Sequence, residues 1–273
     1  GLLWVSTWGR GVWTQRQTSF HAERADPDQP RATTPPSDLA AFAEAPDGSL
    51  WIGTYESGVV RYDATTQRYK HFRAETSGLP SNLTRAVAVD TSGALWVGTR
   101  ANGAGRFDPD TRTFAPVLRA RPHAPDTPLG TVIAFHQAAN GTLWAASYRS
   151  GPCRYRPSDD RFECLVDRWP DLALSSRNTY AVAHIDGDLW ASGWGSGVDR
   201  INLQTGDVTA YQHRRNDPTS LAHNSVSRIQ TTRDGTVYVT TYGGGVSRFV
   251  PATETFERAT TRDGLPRTVV YGL

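Results

Sequence analysis

The sequence predicts an all-β fold: a β-propeller of six four-stranded antiparallel blades, closed by its C-terminal strand. Three observations carry this expectation. First, one phrase recurs along the 273 residues: Leu-Trp-x-Gly-Thr, an aromatic, Gly-Val, then x-Arg-aromatic. Its copies begin at Leu2, Leu50, Leu95, Leu143, Leu189 and Val237. The anchors Trp4, Trp51, Trp96, Trp144, Trp190 and Tyr238 stand 47, 45, 48, 46 and 48 residues apart. A repeat of this length, rich in β-branched and aromatic residues, marks a propeller blade. Second, glycine forms two columns, three before each anchor (Gly1, Gly48, Gly93, Gly141, Gly187, Gly235) and seven after it (Gly11, Gly58, Gly103, Gly151, Gly197, Gly245). Such a column implies a backbone conformation that only glycine takes cheaply. Third, the first copy lacks its first strand, whereas the chain ends on a strand-like run, Thr268–Leu273. That run can pair with Leu2–Ser6 and close the ring, which removes open sheet edges. A rival arrangement takes the six blades from a seven-bladed ring.

The third repeat shows how one blade forms. Leu83–Val89 is strand A, and Asp90–Gly93 is a tight turn in which glycine supplies the unusual φ. Ala94–Thr99 is strand B, Arg100–Gly103 a loop, Ala104–Asp108 strand C and Thr113–Leu118 strand D. Four strands of five or six residues fill about 45 residues. The Trp column packs between neighbouring blades. The Arg ten residues past each anchor (Arg61, Arg106, Arg154, Arg200, Arg248, with Thr14 in the first copy) is expected to meet a carboxylate, a carbonyl or an aromatic ring. Aromatic pairs seven apart, Tyr62 with Tyr69, Phe107 with Phe114, Tyr155 with Phe162 and Phe249 with Phe256, read as cross-strand partners of the C–D hairpin.

That register also places the two cysteines. Counting outward from Tyr155 and Phe162 sets Cys153 opposite Cys164, within disulfide range. Two reduced thiols serving as small apolar residues are the alternative. A bridge favours an oxidising compartment such as the periplasm.

Composition narrows the function classes. A net charge of +2, with both signs mixed along the chain, leaves no basic stripe, so nucleic acid is not expected as a partner. No apolar run approaches the roughly 18 residues of a membrane span, so no membrane contact by this domain is expected. No signal peptide is visible. A chain that starts at Gly1 and holds no Met reads as one propeller domain, residues 1–273, cut from a larger protein.

The stretches Ala86–Phe114 (AVAVDTSGALWVGTRANGAGRFDPDTRTF) and Phe42–Tyr69 (FAEAPDGSLWIGTYESGVVRYDATTQRY) resemble the two-component regulator propeller repeat of bacterial sensor proteins. The pattern extends over essentially the whole chain. The resemblance implies an extracytoplasmic, periplasmic sensor domain of an inner-membrane protein. It implies a glycan-like or other small polar ligand and a histidine kinase or diguanylate cyclase downstream. It also allows a homodimer in the full receptor. Propellers of this group often come as tandem seven-bladed rings, and six copies depart from that.

In an A-B-C-D blade, the D–A and B–C connections share one face. The long loops fall there: His21–Asp38, Pro116–Gly130, Val166–Arg177 and His213–His223. Loops of this size tend to carry function. The position four past each anchor opens the B–C loop and reads Trp8, Tyr55, Arg100, Tyr148, Trp194 and Tyr242. Exposed aromatic platforms stack on sugar faces and other flat ligands; the plainer alternative is that they plug the blade ends. Arg10, Arg149 and Glu56 flank them, either as ligand contacts or as solvated loop charges. Asn82, Asn178 and Asn224 each precede a strand A, as ligand contacts or as turn-capping residues.

Three function classes compete: an extracytoplasmic sensor, a protein-interaction or dimerisation propeller, and a propeller hydrolase or lyase. The predicted A strands are poor in carboxylates, and only Glu44, His136 and His184 offer acid, base or ligating groups, without metal-ligand spacing. No Gly-x-Ser-x-Gly, carboxylate pair or phosphate-binding loop appears. The sequence therefore predicts no catalytic residue, no metal and no cofactor.

Overall fold

Each repeat forms a run of antiparallel strands, and β-prone runs separated by glycine turns are the reason. The computed structural model describes residues 4–7, 11–16, 19–23, 36, 38–121, 125, 127–232, 234–265 and 267–270. The first repeat holds β1 (Trp4–Thr7), β2 (Gly11–Arg16) and β3 (Ser19–Glu23), a three-stranded sheet. The second holds β4 (Leu39–Glu44), β5 (Leu50–Thr54), β6 (Val59–Asp63) and β7 (Arg68–Phe72). The third holds β8 (Thr84–Val89), β9 (Leu95–Thr99), β10 (Ala104–Asp108) and β11 (Thr113–Ala120). The fourth holds β12 (Thr131–Gln137), β13 (Leu143–Tyr148), β14 (Gly151–Arg156) and β15 (Arg161–Cys164). The fifth holds β16 (Thr179–Ile185), β17 (Asp188–Gly193), β18 (Gly197–Asn202) and β19 (Val208–Tyr211). The sixth holds β20 (Val226–Thr231), β21 (Val237–Thr241), β22 (Gly245–Val250) and β23 (Thr255–Ala259). The strands thus follow the expected A-B-C-D order.

Contacts group the chain into two compact units, Gly1–Leu118 with Pro128–Val132, and Arg119–Thr127 with Ile133–Leu273. In the first unit, alternation along β5 sends side chains to opposite sheet faces. Leu50 and Ile52 pack with Val60, Tyr62 and Tyr69. Trp51 turns the other way, toward Val59 and Phe72 and on to Leu95, Val97 and Phe114 of the third repeat. All five residues of β5 are therefore buried. In the second unit, Trp190 and Val198 pack with Ile229, Val239, Phe249 and Phe256 of the next repeat. Each fully buried Leu, Ile or Phe contributes about 1.5–3 kcal/mol by leaving water.

The register matches the aromatic pairing: Tyr62 lies opposite Tyr69, Phe107 opposite Phe114, Tyr155 opposite Phe162 and Phe249 opposite Phe256. The Arg column stands directly across from the anchors, as in Trp51 opposite Arg61 and Trp190 opposite Arg200. It uses both expected kinds of partner. Arg61 lies 5.8 Å from the Trp51 ring and 2.7 Å from Asp47, and Arg106 lies 5.7 Å from the Trp96 ring. Arg154, Arg200 and Arg248 pair with Glu163, Asp188 and Glu257. Cys153 and Cys164 face each other and form a disulfide.

The second glycine column has a duty beyond its turn. Gly58, Gly103, Gly151, Gly197 and Gly245 all have φ between 73° and 84°. Each donates its N–H to the carbonyl before the next repeat's strand A: Asn82, Gly130, Arg177, Asn224 and Thr268. A Cβ on Gly58, Gly197 or Gly245 would lie 2.3 Å from a strand D carbonyl oxygen. The final clamp, Gly245 to Thr268 at 2.8 Å, shows that the C-terminal run starts as a strand A would. Val269 bridges to Tyr242, and Val270 donates to the Thr241 carbonyl. The proposed pairing of Thr268–Leu273 with Leu2–Ser6 involves residues 2–3 and 271–273, which lie outside the described residues.

Candidate functional site

The end of strand B builds a rim. Thr54, Thr99 and Thr241 close strand B, are fully buried, and donate their hydroxyls to Gly58, Gly103 and Gly245 carbonyls at 2.8–3.0 Å. The following residue turns outward. Its backbone N–H is tied to the start of the same repeat's strand A: Tyr55 to Asp38, Arg100 to Leu83 and Tyr242 to Ser225, at 2.7–2.8 Å. A fixed backbone therefore presents these three rim side chains.

Strand A adds a column that the sequence did not expose. A β-bulge interrupts the A–B pairing between Leu39 and Ala41, Thr84 and Ala86, Thr179 and Ala181, and Val226 and Arg228. The extra residues are Ala40, Arg85, Tyr180 and Ser227. A bulge re-aims a side chain, and here it brings Arg85 and Tyr180 against rim rings. The Arg85 guanidinium lies 4.6 Å from the Tyr55 ring. Tyr180 stands 6.3 Å from Tyr148 of the preceding repeat and 5.8 Å from Trp194 of its own. Trp194 in turn is 5.4 Å from Tyr242. Tyr148, Tyr180, Trp194 and Tyr242 thus form one aromatic arc across three repeats of the second unit. Trp194 is 54% exposed and Tyr242 42%, the exposed large hydrophobic side chains among the described residues. The missed signal was the misfit of strand A: the four bulged copies carry one residue more than their B partners.

The remaining predicted positions divide. Tyr55 and Arg100 lie in the first unit, Tyr55 half-buried under Arg85 and Arg100 exposed. Trp8 and Arg10 fall outside the described residues. Arg149 is exposed beside Tyr148, with φ of 75° and its backbone N–H on the Asn178 side chain. Glu56 is exposed, and its N–H is held by Asp38. The three asparagines spend their side-chain oxygens on backbone: Asn82 accepts from Ala74 and also donates to Glu75, Asn178 accepts from Arg149, and Asn224 accepts from His213. They shape the loops behind the rim.

The loops are tied down elsewhere too. Asp199 of β18 accepts from both the backbone and the hydroxyl of Ser175, at 2.8 and 2.6 Å. Burial raises the Asp199 carboxyl above its ordinary value, and the two Ser175 bonds oppose that rise. Of the acid–base candidates, Glu44 is exposed at the end of β4. Burial, and secondarily the neighbouring His184, lowers His136 below its ordinary value, and His184 stacks on Trp144 at 6.4 Å. His136 is therefore a neutral imidazole at neutral pH.

Known structures share this architecture. The extracellular domain assigned to a one-component system of B. thetaiotaomicron superposes with a TM-score of 0.67 at 19% identity, over 95% of this chain and 37% of that one. PorZ, a surface component of the type-IX secretion system of Porphyromonas gingivalis, gives 0.67 at 14%, over 100% and 42%. Virginiamycin B lyase from Staphylococcus aureus gives 0.61 at 14%, over 87% and 75%. The chain spans less than half of the first and second of these proteins. No protein-family model matches the chain, and no curated protein matches it. On these likenesses the chain has the β-propeller fold found in the extracellular domain of a sensor system.

Proposed function

We propose that this chain is the extracytoplasmic, ligand-binding propeller of a bacterial sensor, which takes up a glycan-like or other extended polar ligand on its aromatic rim and signals to an effector elsewhere in the protein. The observation that carries this reading is the arc Tyr148–Tyr180–Trp194–Tyr242. Trp194 and Tyr242 are exposed and Tyr148 and Tyr180 half-buried, and such aromatic rings, with two side-chain torsions each, lose little entropy when they stack on a flat ligand face, while their polar tips suit a half-wet site. Exposed Arg149, beside Tyr148, adds donors for hydroxyl or acidic groups.

Two further observations support the setting. The Cys153–Cys164 bridge fits an oxidising compartment. The fold is shared with an extracellular domain assigned to a sensor system. The propeller itself is a binding module in this reading, with no catalytic residue, metal or cofactor. It contacts neither nucleic acid nor membrane, and any homodimer forms in the full receptor.

A glycan array followed by calorimetry tests the proposal. A hit whose affinity falls in Tyr180→Ala and Trp194→Ala supports the rim. A hit indifferent to Tyr148, Tyr180 and Trp194 places the site elsewhere. An exposed arc that instead mediates self-association would appear as a dimer lost in Trp194→Ala.

A further inference from the structure

A second site lies in the first unit, at the turn end of the second and third repeats and away from the rim. A cleft of about 740 Å³ opens there, inside the range of roughly 300–1,000 Å³ typical of small-molecule sites. Trp51, Phe72 and Phe107 form its apolar floor, with ring centroids 4.8–5.4 Å apart. Arg61, Lys70 and Arg112 line it as cations, and Asp47 is its one carboxylate. Arg61 already holds Asp47 at 2.7 Å.

The matching junction between the fifth and sixth repeats explains why this one is open. There, Arg200 occupies the place of Arg61, with Trp190 directly opposite as Trp51 is here. Asp188 holds Arg200 at 2.6 Å, and Glu254 of the next repeat reaches it at 3.4 Å. Glu254 sits two residues before Phe256 in the C–D turn, with φ of 52°. The third repeat has Arg112 at that position, two before Phe114, with φ of 57°. The acid that reaches across one junction, where the cleft beside it measures only about 240 Å³, is thus a base in the other. Lys70 adds a further cation where the fifth repeat has Thr209, each opposite the Arg of its repeat. Lys70 also lies 5.1 Å from the Phe72 ring, at the edge of the floor.

We infer that this cleft binds a planar aromatic carboxylate, with its ring against the half-exposed Phe107 at the edge of the floor and its anionic group between Arg112 and Lys70. Two lining cations lack a carboxylate in the cleft, and an anion there gains charge-assisted hydrogen bonds while its ring leaves water. A neutral ring would gain only the second effect, and a small anion only the first.

The test uses 2-naphthoate as probe, with its neutral isostere 2-naphthamide and with acetate, in calorimetric titrations of the whole chain. Naphthoate is expected to bind about tenfold or more tightly than either comparison compound, and to weaken with salt. Arg112→Glu restores the acid found at position 254 and should weaken naphthoate at least about tenfold, because it lets the junction close on Arg61. Arg112→Gln, with Gln67 as precedent at the same turn position and φ of 55°, should weaken it about threefold and keeps the test readable should the Glu variant fold poorly. Trp194→Ala should leave naphthoate binding unchanged. Absence of naphthoate binding at millimolar concentration overturns the inference. So do equal binding of naphthamide, indifference to both Arg112 variants, or loss of binding in Trp194→Ala.

Discussion

Trp190 and Trp194 stand four residues apart at the end of one strand, and the fold treats them in opposite ways. Trp190 is 2% exposed, stacked at 5.6 Å on Tyr211 and edge-on at 4.8 Å to Phe249. Trp194 is 54% exposed, and Tyr180 and Tyr242 are its ring partners. Both are large aromatics in a repeated position. The difference lies in what the repetition keeps. At the anchor, Trp recurs in five of the six copies, with Tyr238 in the last, because one shape fills one space between sheets. Four residues on, the class varies between Trp, Tyr and Arg, and where described those side chains are half-buried or exposed. A residue repeated as one identity serves the blade, and one repeated as a loose class is available to a ligand.

The sharpest way to break this comparison is to truncate the anchor. Trp190→Ala should cost about 3–5 kcal/mol, since it removes a buried indole and leaves a cavity among Tyr211, Phe249 and Phe256. Urea unfolding would measure it. A loss below about 1 kcal/mol would mean that the anchor column is not the packing column, because surface changes fall in that range.

Next in size is the bridge that braces the C–D hairpin of the fourth repeat. Cys153 and Cys164 are 11 residues apart, and closing a loop of this size stabilises the native state by about 3 kcal/mol. The Cys153→Ala, Cys164→Ala double variant should lose about that much, and the denatured, unreduced protein should show no reactive thiol. Two reactive thiols in periplasmic material would remove the bridge from the account, and with it one support for the oxidising compartment.

A smaller effect should come from His136, which belongs to the buried side of the comparison. Its folded value lies below the ordinary 6.5 because burial, then His184, disfavours its charged form. The unfolded chain therefore takes up this proton at a higher pH than the folded one does. Stability is full above the ordinary value and is lost as pH falls through 6.5 toward the folded value. The urea midpoint should drop between neutral pH and mildly acidic pH, and the drop should shrink in His136→Gln. An unchanged slope in that variant would assign the acid sensitivity to other groups.

Sequence legibility follows the same division. The A-B-C-D order, the pairing of Tyr155 with Phe162 and hence the disulfide, and the acidic or aromatic partners of the Arg column were all readable, because each follows from strand register and register is periodic. The outward turn at Tyr55, Tyr148, Trp194 and Tyr242 was readable as well. Tyr180 and Arg85 were not, since a bulge breaks the alternation by which strand residues are assigned to a face. The cleft was hidden for another reason. Arg112 looks like any exposed turn residue until the turns are superposed and Glu254 is found in its place. The asparagines before strand A were legible as polar residues near the rim, but their backbone partners Ala74, Arg149 and His213 come from loops whose paths no local pattern encodes.

The smallest stability effect and the most informative binding effect should come from Trp194→Ala. The side chain is more than half exposed, so its loss should change stability by no more than about 0.5 kcal/mol. It nevertheless breaks the arc at its centre, separating Tyr180 from Tyr242. Loss of a stacking ring costs about 0.5–1.5 kcal/mol beyond lost area, so affinity for a rim ligand should fall several-fold or more while the urea midpoint stays in place. Tyr180→Ala should act in the same direction, because Tyr180 is the ring that joins Trp194 to Tyr148. If Trp194→Ala destabilised the protein as much as Trp190→Ala does, the exposed ring would be a structural cover for the blade ends, and the distinction between the two tryptophans would fail. If it left both stability and ligand affinity untouched while Tyr180→Ala weakened binding, the ligand would sit on the Tyr148–Tyr180 half of the arc.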